Sequence, residues 1–165
     1  MKNLALLACL TFFCNLFMAA QVPKAMPPDA DEFYNQSMPQ LRPRLKDFIL
    51  KNAKAMEHCK MNPDSLSAAF HKASLLKGMS NTDIEGLIVL TMVQASKNAD
   101  ADLKKMVLEI GQKREAAKEK NIAVSDEQNI QLQNILDRKS DMAEQVSYTM
   151  KKISGSQQSI ISNLK

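Results

Sequence analysis

Pro63 is the last proline of the chain, and from there to Lys165 the only glycines are Gly78, Gly86, Gly111 and Gly155. So long a stretch with so few breakers has few places to turn. No part of it alternates apolar and polar residues as a half-buried strand does. Its apolar residues recur at spacings of three and four, the period of a helix face. The chain is therefore expected to be all-α.

Local signals divide it into four long helices. The first is predicted over about 43–60, with Leu45, Phe48, Ile49, Met56 and Cys59 on one stripe. Asn62 and Pro63 restart the chain as an N-cap and a first helical residue. The second helix, about 63–77, carries Leu66, Ala69, Phe70, Ala73 and Leu76, with Gly78 as its left-handed C-cap. Thr82 and Glu85 have capping-box spacing and open the third, about 82–120. Ser125 and Gln128 repeat that spacing before the fourth, about 126–153 or beyond, with a bend expected at Gly155.

The apolar patterns say how these helices pack. The fourth has a 4-3 rhythm through Leu132, Leu136, Lys139, Ala143, Val146, Met150, Ile153, Gln157, Ile160 and Leu164. That is a coiled-coil-like seam with polar breaks at Lys139 and Gln157. The third helix begins apolar nearly all round, at Ile84, Leu87, Ile88, Val89, Leu90, Met92 and Val93. It then thins to one stripe, Ala99, Leu103, Met106 and Ile110, and ends polar. A helix apolar on every side is buried on every side. The expected architecture is a small helical bundle extended by a long antiparallel coiled-coil-like helical hairpin, with its tip near Ile122 and Val124. An unbranched four-helix bundle is the alternative.

The N-terminal residues address location. Lys2 precedes an apolar run from Leu4 to Phe17, and Met18, Ala19 and Ala20 close it with small residues. That is the pattern of a secretory signal cleaved near Ala20, and the run is short for a membrane span. Export to the periplasm or the extracellular space is expected. Residues 21–42 are expected as an extended, proline-rich lead-in that could make one short helix capped by Asp29 or Asp31, and 43–165 as a single helical domain. Cleavage would remove Cys9 and Cys14 and leave Cys59 as the lone cysteine. It then has no intramolecular disulfide partner, and is either buried or joined to another chain.

Composition narrows function mostly by exclusion. Beyond the leader there are 21 basic and 18 acidic residues, a net charge of +3. The lysines are interspersed with acids, aromatics are scarce and tryptophan is absent, so nucleic acid is not an expected partner. No HExxH, glycine-rich phosphate loop or GxSxG occurs. Neither enzymatic activity nor a cofactor is expected.

Two clusters resemble metal sites until they are placed on a helix. Met56, His58, Cys59 and Met61 crowd together in sequence. Met56 and Cys59 lie within about 60° of each other on the apolar stripe, but His58 points about 100° away. Asn98, Asp100, Asp102 and Glu109 match calcium-loop spacing, yet Leu103 stands where the sharp turn needs glycine. Neither is read as a metal site. His71 has only Asp64 at a useful spacing.

The expectation is an exported, non-catalytic protein that binds a protein partner or itself through the hairpin, with Ile122, Val124 and Cys59 as candidate contacts. The alternative is a membrane-active protein that exposes residues 84–93 on a trigger, with Ile84, Leu87, Ile88 and Leu90 as the membrane-seeking side chains.

Overall fold

The computed structural model describes residues 24–57, 63–116 and 126–165. They are helical and, among the described residues, contain no strand. In chain order the helices are α1 (Pro28–Ser37), α2 (Pro43–Glu57), α3 (Pro63–Lys72), α4 (Asn81–Ala116), α5 (Asp126–Ile153) and α6 (Gln157–Leu164). Short 3-10 turns at Met38–Gln40 and Ser74–Leu76 follow α1 and α3.

Prolines set the first starts. Pro28 is the first residue of α1, where a fixed φ and a missing N–H cost nothing. Asp29 and Asp31 therefore sit inside the first turn rather than capping it. Asp29 Oδ1 accepts the Ala30 N–H at 3.0 Å, and Asp31 pairs with Lys97 of α4 at 2.9 Å. Arg42 then opens α2, its carbonyl accepting from the N–H groups of Leu45 and Lys46.

α3 stops at Lys72, short of the expected residue 77, and Ala73 is extended. In an unbroken helix Leu76 would lie about 100° from the stripe of Leu66 and Phe70. The break re-aims Leu76 into the core while Leu75 faces out. Gly78 does have a left-handed φ of 87°, but it follows the 3-10 turn instead of capping the helix.

The cap of α4 also differs from expectation. Ser80, not Thr82, does the capping. Its hydroxyl accepts the Asp83 N–H at 3.1 Å and donates to Asp83 Oδ2 at 2.7 Å. Asn163 of α6 donates to the same carboxylate at 3.2 Å. The serine-to-acid spacing of three occurs two residues before the threonine-to-acid one, and the earlier pair wins because α6 reinforces Asp83. Glu85 is left to meet Lys152 of α5 at 3.4 Å. Such a cap contributes about 1 kcal/mol.

α4 is the axis of the fold, and every other helix packs on it. Ile84, Gly86 and the unbroken run 87–93 are buried, as the all-round apolar pattern requires. Leu45, Ile49, Ala53 and Met56 of α2 meet it in the same core as Leu66 and Phe70 of α3. Phe48 tilts against Phe70 with ring centroids 4.9 Å apart. Arg138 of α5 donates to the Met56 carbonyl near the end of α2, where a cation opposes the helix dipole favourably.

α5 returns along α4. Asp100 meets Lys139, and Glu85 meets Lys152, so the partners run in opposite order. The polar break at Lys139 is thus answered by an acid on the facing helix. α5 ends at Ile153, a turn through Gly155 (φ 81°) follows, and α6 adds Ile160 and Leu164 to the core. α6 crosses α4 at Gly86, where an added Cβ would lie 2.7 Å from Ile160 Cγ2. Glycine in a helix interior costs about 1 kcal/mol, and here it admits the crossing.

α1 docks on α4 through Phe33 and a polar edge. The Tyr34 hydroxyl donates to Gln94 Oε1, and Lys97 Nζ lies 5.1 Å from the tyrosine ring centroid. Burial pushes the Tyr34 pKa up, and Lys97 partly opposes that. A tyrosine that ionises later when folded stabilises fully below the unfolded value of about 10 and loses that contribution as pH rises through the folded one. Tyr34→Phe should cost about 1 kcal/mol near neutral pH by orphaning Gln94. The deficit should shrink in urea melts above about pH 10. A deficit that stays constant into that range would show that Tyr34 does not titrate with folding.

Candidate functional site

The apolar run at the start of α4 is the first place to look. Ile84, Leu87, Ile88 and Leu90 are all buried, with Leu87 and Leu90 wholly inaccessible. They fill the centre of the core rather than a surface. Among the described residues no helix is long and apolar enough to cross a membrane. Cys59, with His58 and Met61, lies outside the described residues, as do Ile122, Val124 and the leader. Met56, the described member of that first cluster, is buried against the core. The calcium-like set Asn98, Asp100, Asp102 and Glu109 lies along the continuous helix α4. Asn98 accepts from Gln94, and Asp100 pairs with Lys139.

His71 is more interesting in three dimensions than in one. Asp64, Ser67 and His71 recur on one face of α3 and line a cleft of about 260 Å³ against α4 and α5. Glu85, Gln145, Tyr148, Thr149 and Lys152 complete its polar lining, with Ile88 and Met92 as its apolar part. The lysine is already engaged. Its ammonium lies 3.4 Å from Glu85 Oε1 and 4.6 Å from the Tyr148 ring centroid. Acid–base catalysis needs groups within hydrogen-bond reach of one another or of a substrate. His71 makes no hydrogen bond or ion pair among the described residues. Nor do three or more His, Cys, Asp or Glu side chains there come together to hold a metal ion. The cleft is also smaller than the roughly 300–1,000 Å³ of a usual ligand pocket. It offers a few donors and acceptors to a small polar group, without an activated nucleophile.

The remaining candidate surface lies beyond the core. Fully buried side chains end at Ala99 in α4 and begin again at Ile135 in α5. Between those limits Leu103, Met106, Ile110 and Leu132 are only half-buried. Val107, Leu108 and Ile130 are 55%, 64% and 61% exposed. On helical phase, Leu108 and Ile130 fall on the sides of α4 and α5 turned away from their shared seam.

No protein-family model, curated protein or solved structure matches the chain. The functional reading therefore rests on this geometry and on the sequence.

Local spacing suggested Asp64 as the acid for His71, but it held no sign of Glu85 or Lys152, which arrive from other helices. The exposed aliphatics of α4 were likewise unmarked by spacing, because they lie off its apolar stripe. Val107 and Leu108 directly follow Met106 in sequence, and both are exposed.

Proposed function

We propose that this is an exported, non-catalytic helical protein that binds another protein, or a second copy of itself, through a hairpin formed by α4 and α5. In this reading the two helices leave the bundle together as an antiparallel, coiled-coil-like arm. The observation that carries it is the set of exposed aliphatics, Val107, Leu108 and Ile130, on the part of the pair that lies past the core. One neighbouring helix covers a single stripe, and these three lie off it. Burying each of them against a partner would contribute about 1–2 kcal/mol. The charges nearby, Lys104, Lys105, Asp102 and Glu109, are exposed and of both signs. A rim of that kind favours a protein surface over a polyanion. Export rests on the leader sequence up to Ala20.

The test pairs sedimentation velocity with photo-cross-linking in the native envelope from position 104, exposed one turn before Leu108. The wild type should self-associate with rising concentration or cross-link to one discrete protein. Leu108→Ser with Ile130→Ser should abolish that result and leave the thermal midpoint within about 2 °C, since both sites are exposed. A compact monomer that yields no cross-link would refute the reading.

A further inference from the structure

A second recess lies at the opposite end of the bundle from this pair of exposed ends, where α2 begins and the chain approaches α4. It is a groove of about 650 Å³, within the usual range for a small-molecule site. Three cations line it, Arg42, Arg44 and Lys77, and no acid does. Its apolar part is Leu45, Leu75 and Met79 with Pro43. Leu45 is buried, and Leu75 is 42% exposed beside the lysine.

The cations differ in how they are held. Arg42 is fixed by α6, with its backbone N–H donating to the Leu164 carbonyl and its guanidinium to the Asn163 carbonyl, each at 3.2 Å. A guanidinium has five donors, so most of them remain for a ligand. Arg44 and Lys77 form no ion pair among the described residues. The first turn of α2 also contains no acid. Asp83, on the neighbouring start of α4, is turned to Ser80 and Asn163. The positive field of the groove is therefore not neutralised by its own walls, and such concave cationic surfaces concentrate anions.

We infer that this groove binds a single-chain amphiphile, with an anionic head on Arg42, Arg44 and Lys77 and an alkyl chain along Leu75, Met79 and Leu45. Charge alone would select any small anion, and the apolar wall alone any oily compound. The juxtaposition selects a molecule with both. A carboxylate or a phosphate head satisfies the same donors.

Isothermal titration calorimetry of the full chain with decanoate and decyl phosphate, below their micelle concentrations, tests the assignment. Decanol and inorganic phosphate serve as tail-only and head-only controls. One site per chain is expected for either amphiphile, weakened by salt. Arg44→Ser with Lys77→Ser should lower affinity by about ten-fold or more, and Leu75→Ser should lower it for both amphiphiles alike. All three positions are exposed, so the helical circular dichroism should be unchanged. Equal affinity in the double variant would overturn the inference. So would phosphate binding as tightly as decyl phosphate. So would sedimentation with phosphatidylglycerol vesicles in the absence of any binding to the free amphiphiles, which would make the groove a membrane-surface contact. None of these outcomes depends on the arm.

Discussion

Leu90→Ala is expected to lower the free energy of unfolding by about 3–5 kcal/mol, the range for truncating a wholly buried leucine in a packed core. Leu90 is inaccessible to solvent and sits midway along the buried run of α4, the helix on which every other one packs. The surrounding side chains are held by their own helices and cannot collapse into the space. A domain of this size is stable by only about 5–15 kcal/mol, so this one change should remove a large share of it. Leu108→Ala, on the same helix but 64% exposed, should cost less than about 0.5 kcal/mol. Urea midpoints of the two variants provide the comparison. Near-equal midpoints would mean that the run 87–93 is not the core.

Gly86→Ala should also destabilise, by about 1–3 kcal/mol, although alanine is the better helix former. The new methyl would lie 2.7 Å from Ile160 Cγ2 and near Phe33. Ile160 is buried, and its β-branch leaves it little choice of rotamer. The strain should be relieved by loosening α6, seen as faster amide exchange over 157–164. Ile160→Ala removes the obstacle, so Gly86→Ala in that background should stabilise instead, by up to about 1 kcal/mol. This reversal of sign in a double-mutant cycle isolates the contact. If Gly86→Ala raises the midpoint in the wild-type background, the close crossing of α6 is wrong.

Much of the helix plan could be read along the chain. The buried residues of α2, Leu45, Ile49 and Met56, fall where the 3.6-residue period put them. So do Ala143, Val146, Met150 and Ile153 on α5. Pro43 and Pro63 begin helices because proline suits the first helical position. The misreadings were of ends. Thr82–Glu85 and Ser80–Asp83 are equally good capping signals in one dimension. The choice between them was made by Asn163, eighty residues away. Likewise, nothing near Ala73 announces that the helix must break there. The break occurs because Leu76 can then reach the core.

The sequence by itself determined an all-helical chain, because period, caps and breakers act over a few residues and need no partner. It also determined that 87–93 would be surrounded, since no solvent-facing stripe exists there. Tertiary structure decided what meets what. It set Lys139 against Asp100, Gly86 under Ile160, and Arg42, Arg44 and Lys77 around one groove. Those meetings join residues from separate helices, whose relative placement follows from how whole surfaces pack. Local spacing holds no record of that, and the candidate binding surfaces of this protein are built from such meetings.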